Sequence, residues 1–397
     1  MSAAQNVALY PWFRFFQNLL FWQATWFLFF QSELSAAHAV LIYVFYDIAT
    51  TIFEVPSGYF SDRVGRRITL IISSLAGLTA AVMQAFGSEF WVFALAQAAL
   101  GVHMAFNSGT DSSLLYESLA EDGREGEIEE HELRAWRFGF AALALSAVTG
   151  GAMALIDLRV PYFATAAAFV LVLLVVFRFR EPAQHTRVES ETARLGSLKM
   201  AFRKPVLLWL FGLTAVMYGY SHLPFVFGQP FILQALENLN LAANAPLVSG
   251  TVTALMMLVS LFTSWLAPSI RARLGLAGIL LLAFAMQIGL VAGLALTSSA
   301  FAIALLLLRM VPDSFSTPFI KARIQTELPD EVRATFLSIK SLAARILFAG
   351  SLYLASGAAS DVGEMSHGQI SLILSGYAFA GLLAFAVLAL TARGRKI

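Results

Sequence analysis

Long apolar runs, separated by short polar segments, fill the chain from residue 11 onward. Each run has about the 20 residues that an α-helix needs to cross the hydrocarbon core of a bilayer. The runs are continuous and lack the period-two alternation of barrel strands, so they predict helices. Twelve predicted spans follow, at 11–31, 38–60, 68–87, 90–118, 135–156, 159–179, 205–234, 246–268, 276–297, 299–326, 334–358 and 366–392.

Composition excludes a soluble globular fold. Of the 397 residues, 58% are hydrophobic and 13% are charged, whereas soluble domains average roughly 45–50% and 25%. The sequence therefore predicts an all-α integral membrane protein. The segment Met1–Pro11 has no basic residue before the first apolar run, so we expect that run to be retained and not cleaved as a signal. Without cysteine, disulfides and thiolate metal sites are excluded.

Lysine and arginine are distributed unequally between the two sets of loops. Loops on one side hold 21 of them, whereas the opposite loops hold only Arg159. Basic loops stay in the cytoplasm. We therefore expect a multi-pass protein of the cell inner membrane with both termini cytoplasmic.

The longest polar stretch divides the chain near its centre. It predicts a first half at 1–180, a cytoplasmic linker at 181–204 and a second half at 205–397, with six spans in each half. The halves resemble each other: Gly65 follows span two as Gly275 follows span eight, and Arg137 corresponds to Arg345. Such repeats are typical of transporters, and we expect a monomer.

The loop between spans two and three carries a ten-residue motif, Gly58-Tyr-Phe-Ser-Asp62-Arg63-Val-Gly65-Arg66-Arg67. It resembles the signature loop of the major facilitator superfamily at every defining position. The resemblance implies the fold of that superfamily, with two six-helix bundles and alternating access. Two further strings, Glu54-Val-Pro56-Ser-Gly58 and Ser108-Gly109-Thr110-Asp111, resemble a prokaryotic branch of efflux-type and poorly characterised permeases.

The resemblance also implies a conformational latch that closes the cytoplasmic side in the outward-open state. Asp62 would accept hydrogen bonds at the amino end of span eleven, where the helix dipole is positive. Arg66 would pair with an acid at the inner end of span four, for which Glu117 is the candidate and Asp111 and Asp122 compete.

In the second half Ala272 replaces the aspartate, so a second latch would be weaker or absent. The alternative is that the motif residues are merely solvated loop charges. The predicted latch residues are Gly58, Asp62, Arg63, Gly65, Arg66, Arg67 and Glu117.

Three acids inside predicted spans are candidates for carrying a coupled proton, because each ionised group there costs roughly 2.5–3.5 kcal/mol. They are Asp47, Glu54 and Asp111. Groups of this kind that face an aqueous cavity can carry a coupled proton, and Asp47 is nearest the middle of its span. The alternative for Glu54 and Asp111 is a permanent structural pair with Arg134, Arg137 or Arg345.

Polar and aromatic residues in several spans are candidates for a solute cavity. Two prolines and two glycines within 218–230 predict that span seven is broken, and Pro312 predicts a kink in span ten. Arg309 and Asp313 are spaced to neutralise each other, or Arg309 receives an anionic group of the substrate. Alternatively, the aromatic residues pack against lipid, and His103 is a hydrogen-bonded residue of the core. The cavity candidates are Trp22, Gln23, Trp26, His103, Tyr220, His222, Gln229, Arg309 and Asp313.

These patterns favour a secondary active transporter over an enzyme. The sequence has no Walker A loop and no His-Glu-x-x-His string, which disfavours nucleotide and zinc chemistry. We expect proton-coupled efflux of a drug or metabolite. The alternatives are import of an amphipathic or aromatic nutrient such as a riboflavin-like vitamin and, third, lipid flipping. The expected partners are a small-molecule substrate, a proton or other coupling ion and the lipid bilayer; no nucleic acid, cofactor or metal is expected.

Overall fold

A computed structural model describes residues 3–34, 36–183, 191–238, 245–296, 305–329, 332–356 and 367–395. Every regular element in these ranges is helical. The helices are α1 Ala3–Gln17, α2 Trp26–Glu33, α3 Ala36–Val64, α4 Arg66–Phe86, α5 Phe90–Asn107, α6 Thr110–Glu121, α7 Ile128–Ala154, α8 Val160–Arg178, α9 Glu191–Ala201, α10 Pro205–Asn238, α11 Ala245–Ser264, α12 Ala267–Leu296, α13 Val311–Glu327, α14 Arg333–Ser356 and α15 His367–Arg395. Short 3-10 helices lie at Phe21–Ala24 and Glu125–Glu127.

Helices of membrane-spanning length and hydropathy recur along the described ranges. Seven segments meet both requirements, at Arg66–Phe86, Phe90–Glu121, Glu125–Ala154, Val160–Arg178, Pro205–Leu223, Ala267–Leu296 and Ser371–Ala392. The segment Thr253–Ser264 is apolar but shorter. The prediction that the apolar runs are helices is confirmed.

Span one is interrupted, although the sequence predicted a continuous helix there. The chain leaves α1 at Gln17 and re-enters regular α-helix at Trp26, with the 3-10 turn between them. Neighbouring helices satisfy the backbone groups that this break releases: the Phe21 amide donates to the Thr165 hydroxyl at 3.1 Å. Irregular backbone at membrane depth is tolerated because protein covers it in this way.

Span seven, in contrast, is not broken, and that prediction was wrong. Helix α10 runs without interruption from Pro205 to Asn238 and includes Pro224 and Pro230. A proline removes one amide donor from the helix, but the remaining hydrogen bonds of a 34-residue helix hold its two sides together. The kink predicted for span ten has a counterpart, since residues 308–310 form turns and α13 begins at Val311, one residue before Pro312.

The chain divides into two compact units. Unit 1 comprises Met1–Ala201, Pro246–Met257 and Lys321–Leu342, and unit 2 comprises Phe202–Ala245, Leu258–Ile320 and Ala343–Ile397. Parts of α13 and α14, from the second half of the sequence, therefore pack with the first six spans. The domain boundaries at 180 and 205 stay a prediction.

The internal repeat is visible in the backbone as well as in the sequence. Gly65 has φ +126° between α3 and α4, and Gly275 has φ +73° inside α12, where the helix changes direction. Side chains other than glycine rarely adopt such values. Both halves therefore require glycine at the corresponding turn after their second span.

Unit 1 depends on glycines that let helices come into backbone contact. A Cβ atom at Gly150 of α7 would overlap the carbonyl oxygen of Phe21 in the break of span one. At Gly101 of α5 it would lie 2.6 Å from the carbonyl oxygen of Tyr46 on α3. Backbone atoms cannot move aside as a side chain can, so these contacts tolerate no larger residue.

We predict that Gly150→Ala destabilises the protein by about 1–3 kcal/mol through overpacking. Gly289→Ala is the matched control, because a Cβ there meets open space. Thermal denaturation followed by size-exclusion chromatography in detergent should show a lower apparent melting temperature for Gly150→Ala, by about 1–4 °C. Equal melting curves for the two variants would contradict the close approach of α7 to the break.

Candidate functional site

The turn between α3 and α4 brings the charged residues of the motif to one end of unit 1. We call this the basic end, meaning the end of the helices at which Asp62–Arg67 lies. Helix α3 ends at Val64 and α4 begins at Arg66, with only Gly65 between them. A Cβ at Gly65 would come within 2.8 Å of the Glu181 carboxylate. Glycine is thus required both for the backbone angle and for the contact.

Asp62 forms an amino-terminal cap on α14. Its carboxylate accepts hydrogen bonds from the amides of Ala334 at 3.1 Å and Thr335 at 2.9 Å, and from the Thr335 hydroxyl at 2.6 Å. These are the first amides of the helix, which lack partners within it. The negative charge also lies at the positive end of the helix dipole. Asp62 therefore binds span eleven to span two.

Arg66 joins this cap to the inner end of span four. Its guanidinium is buried with 1% exposure and donates to Asp62 at 2.5 Å and to Glu117 at 2.7 Å. A third bond reaches the Ser61 hydroxyl at 3.1 Å. A buried arginine needs its charge matched and its N–H groups occupied, and these partners do both. We call Asp62, Arg66, Glu117 and the amino end of α14 the latch.

Arg333 adds a second cation to the latch from the other side. Its guanidinium lies 3.5 Å from Glu117 and 4.2 Å from the centre of the Tyr116 ring. The close approach of α14 also depends on Gly58, since a Cβ there would lie 2.5 Å from the Ser338 hydroxyl. Helices α3, α6 and α14 therefore meet through small residues and matched charges.

The remaining motif arginines have different surroundings. Arg63 is exposed and donates to the Tyr59 hydroxyl at 3.0 Å. Arg67 donates from its side chain to the Phe177 carbonyl at 3.1 Å at the end of α8. The two flank the buried Arg66 on either side in the sequence.

Glu181 caps α4 as Asp62 caps α14. Its two carboxylate oxygens accept from the amides of Arg66 at 2.5 Å and Arg67 at 2.8 Å. Burial raises the pKa of Glu181, and the two amide hydrogen bonds oppose that shift. Glu181, two residues beyond predicted span six, thus fixes the start of span three.

A second charged group lies deeper in unit 1 and is formed by six residues. Asp111 of α6 pairs with Arg14 of α1 at 2.8 Å and with Lys321 of α13 at 3.6 Å. Glu54 of α3 is fully buried and interacts electrostatically with Lys340 of α14. The sixth member, Glu132 of α7, accepts a hydrogen bond from Ser112 and interacts with Arg14, Asp111 and Lys321. We call Arg14, Glu54, Asp111, Glu132, Lys321 and Lys340 the buried ionic network.

The three predicted coupling acids therefore differ in environment. Glu54 and Asp111 belong to the network, whereas Asp47, on the same helix as Glu54, has an exposed side chain. Residues seven apart share a helix face, but the helices packed against that face change along its length. The cations at Asp111 are Arg14 and Lys321, and not the arginines at 134, 137 or 345 that the sequence suggested.

The cavity candidates in span one take part in contacts within unit 1. The Gln23 amide donates to the Leu143 carbonyl of α7 at 2.8 Å. The Trp22 indole stacks on the Tyr162 ring of α8 with 6.3 Å between centres and 4° between planes. Trp26 packs with Trp22 against a buried aromatic cluster around Phe29. These contacts hold the break of span one against α7 and α8, and a role in solute binding stays a prediction.

His103 and Tyr220 are buried between helices. His103 of α5 has 4% exposure, and its Nδ1 lies 2.9 Å from the Ser73 carbonyl of α4. The Tyr220 hydroxyl donates to the Tyr377 carbonyl of α15 at 2.5 Å, and its ring meets Phe284 of α12 edge-on. The side chain of Gln229 lies outside the described residues.

Unit 2 brings the remaining candidates together. His222 of α10 contacts Tyr218 one turn earlier, with 4.2 Å between ring centres. Arg309 interacts electrostatically with Asp313 and with His222. Gln287 of α12 donates to Asp313 at 3.5 Å. Span ten thus supplies one cation and one acid to the neighbourhood of span seven.

Comparison with known proteins identifies the family. Residues 11–351 match the sequence profile described as Major Facilitator Superfamily. The chain belongs to this superfamily. The resemblance carried by the motif is therefore confirmed, as is the all-α fold of its transporters.

Solved structures of the Major Facilitator Superfamily have the same fold. The E. coli fucose:proton symporter FucP aligns with a TM-score of 0.69 at 15% identity, over 100% of this chain and 99% of its own. A bacterial homologue of the iron transporter ferroportin gives 0.67 at 18%, over 99% of each chain. The nucleoside transporter NupG gives 0.63 at 17%, over 96% and 98%. No curated protein matches the sequence.

Membership in the Major Facilitator Superfamily makes this chain a multi-pass membrane transporter and not an enzyme. At these identities the structural likeness extends to the fold alone. The solutes named for the fucose, iron and nucleoside transporters belong to those proteins.

Several charged contacts of this superfamily member were not predicted from sequence. They involve Arg14, Glu132, Glu181, Lys321, Arg333 and Lys340. Arg333 did carry a signal, because a cation in the first turn of a helix opposes the dipole and needs an acid nearby. Glu181 and Lys321 lie near span ends, where charged residues are common and usually solvated. Their positions in the sequence alone therefore do not show that they form buried contacts.

We predict that Asp62→Ala opens the latch. Loss of an amino-terminal cap costs about 0.5–2 kcal/mol, and every 1.4 kcal/mol is a tenfold change in population. The chain has no cysteine, so Ser338→Cys provides a single reporter at the fully buried Ser338. Asp62→Ala should make this thiol react with N-ethylmaleimide about tenfold faster.

The exposed Arg63 offers the control for this measurement. Arg63→Gln in the same reporter background should leave the labelling rate within about twofold of the parent. Slow labelling of the Asp62→Ala variant, equal to that of the parent, would show that the cap does not hold α14 in place.

Proposed function

We propose that this transporter is a proton-coupled exporter of a small organic solute. The observation that carries the proposal is the buried ionic network, in which three acids from α3, α6 and α7 of the first half meet three bases. Two of these bases, Lys321 and Lys340, belong to α13 and α14 of the second half. The network thus joins the two halves of the sequence by charge.

Proton binding would weaken this junction. With all six groups ionised the network is neutral by formal charge. One proton added to Glu54 or Asp111 leaves a net positive charge, so that Lys321, Lys340 and Arg14 repel one another in a medium of low dielectric constant. Removal of one partner of a buried pair costs about 3–5 kcal/mol. That energy is of the size needed to reverse a two-state equilibrium.

The latch would supply the closed state that the proton opens. Asp62 and Arg66 bind α14 at the basic end, and Glu54 and Lys340 lie along the same two helices, α3 and α14. Release at the network and release at the latch would therefore move the same helix. This arrangement supports Glu54 and Asp111 as the coupling residues, with Asp47 as the exposed third candidate.

Export is the direction favoured by the Glu54–Gly58 and Ser108–Asp111 strings, which resemble efflux-type permeases. Import of an aromatic nutrient and lipid flipping are the other two readings, and both use the same fold. Counterflow into vesicles under both polarities of the proton gradient distinguishes export from import.

We also propose that the basic end faces the cytoplasm of a cell inner membrane. The support is the distribution of lysine and arginine between the loops. Single cysteines at Gly126, near the basic end, and at Ser88, in the loop before α5, should react differently in intact cells. A membrane-impermeant maleimide should label Ser88→Cys and spare Gly126→Cys. Labelling of Gly126→Cys alone would reverse the topology.

We predict that acidification opens the basic end and that Glu54→Gln or Asp111→Asn abolishes this response. The Ser338→Cys reporter should label faster at pH 5.5 than at pH 8, after normalisation to the exposed Gly126→Cys, which corrects for thiol ionisation. In each neutral variant labelling should be fast at both pH values, because one acid of the network is permanently uncharged.

Glu125→Gln serves as the matched control, since Glu125 is exposed in the loop before α7. Its reporter should keep the pH response of the parent. Normalised labelling that stays constant with pH in the parent, or a full response in both neutral variants, would remove Glu54 and Asp111 from coupling.

A further inference from the structure

Helix α9, which spans Glu191–Ala201, belongs to the polar linker and ends close to a membrane span in the sequence. The apolar segment Pro205–Leu223, which is long enough to cross a bilayer, begins four residues after Ala201. Four residues of extended chain reach at most about 14 Å. The carboxyl end of α9 is therefore held close to the membrane surface by the chain itself.

One face of α9 carries two large apolar side chains that the protein leaves uncovered. Leu195 is 66% exposed and Met200 is 61% exposed. The exposed Lys199 lies between them on the helix surface, because side chains three or four positions apart in a helix are neighbours. Ala201, on the opposite face, is buried. We call Leu195, Lys199 and Met200 the linker face.

The helix α9 has little stability of its own. It has 11 residues, and isolated helices shorter than about 12–15 residues are marginal in water. Gly196 lowers the helix propensity further, although packing does not require glycine there, since a Cβ would meet open space. A short helix of this kind becomes stable when its apolar face is buried against another surface.

The chain around the linker face is basic. From Arg194 to Lys204 the sequence has four basic residues and no acidic residue. Lys199 and Arg203 are exposed, and neither forms an ion pair with the side chains that the structure describes. Exposed apolar side chains beside positive charge complement the acyl chains and anionic headgroups of a bilayer leaflet. A protein partner would have to displace lipid that is already present at this surface.

From this placement, exposure and charge we propose that α9 is an interfacial helix that binds anionic lipid in the leaflet next to the linker. Leu195 and Met200 enter the boundary between headgroups and acyl chains. Lys199 lays its methylene groups along that boundary and directs its ammonium group to lipid phosphate, and Arg203 binds phosphate beside the start of span seven. The proposal requires only that the chain is a membrane protein and is independent of proton coupling.

Spin labels measure the depth of the linker face in the full-length protein. The chain has no cysteine, so Leu195→Cys and Met200→Cys each accept one nitroxide. The protein is reconstituted in nanodiscs of phosphatidylcholine, alone or mixed with an equal part of phosphatidylglycerol. Collisions of the nitroxide with oxygen, which concentrates among acyl chains, are compared with collisions with a water-soluble nickel chelate.

In the anionic bilayer we expect the labels at Leu195→Cys and Met200→Cys to collide preferentially with oxygen. In phosphatidylcholine alone the preference should be weaker, because the electrostatic attraction is lost. The label at Gly126→Cys provides the aqueous reference, since Gly126 is exposed in the loop before α7. It should collide preferentially with the nickel chelate in both bilayers.

Charge variants connect this depth to the headgroups. A basic residue near an anionic surface strengthens adsorption about fivefold, so Lys199→Gln and Arg203→Gln together should weaken it about 25-fold. In the double variant, nickel collisions of the Leu195→Cys label should rise to the level seen in phosphatidylcholine alone. Glu125→Gln, which changes an exposed charge in the loop before α7, should leave these collisions unchanged.

A matched pair of substitutions at Gly196 tests whether the helix itself is required. Gly196→Ala fits the open space and raises helix propensity, so the oxygen preference of the Met200→Cys label should persist or increase. Gly196→Pro interrupts the helix and should expose the same label to the nickel chelate.

Three results would overturn the binding of anionic lipid by α9. Labels at Leu195→Cys and Met200→Cys that collide with nickel as often as the Gly126→Cys label does would place the linker face in water. Labels that neither reagent reaches would place it against protein. An oxygen preference that is equal in both bilayers and unchanged in the double glutamine variant would show an interfacial helix that does not recognise headgroup charge.

Discussion

The cap that Asp62 places on α14 is the contact on which the basic end depends. A buried carboxylate is stable only where hydrogen bonds and positive charge replace water, and here the first amides of α14 and the Arg66 guanidinium do so. The cap in turn requires that α3 approach α14 at Gly58 and that the chain turn sharply at Gly65. The motif is therefore one structural requirement expressed at several positions, and not a set of independent charges.

Charge is divided between the two halves of the sequence where their helices meet in unit 1. The first six spans contribute the buried acids Asp62, Glu117, Glu54 and Asp111, whereas α13 and α14 contribute Lys321, Arg333, Lys340 and a helix amino end. Attraction between them exists only while the acids are ionised. Hydrophobic packing alone would hold the segments together at any pH, whereas this polar contact loses part of its attraction when one of the acids is protonated.

Sequence reasoning identified what depends on local pattern and missed what depends on packing partners. The helical spans follow from hydropathy over about 20 residues, and the acid at Glu117 followed from the motif. The positions of the helix breaks could not be predicted in this way. Span one is interrupted where no proline occurs, because Thr165 and the space at Gly150 accept its backbone. Span seven, in contrast, stays helical through two prolines. Likewise, Arg14 and Lys321 meet Asp111 only because three helices converge. The spacing of residues along one helix does not predict such contacts between helices.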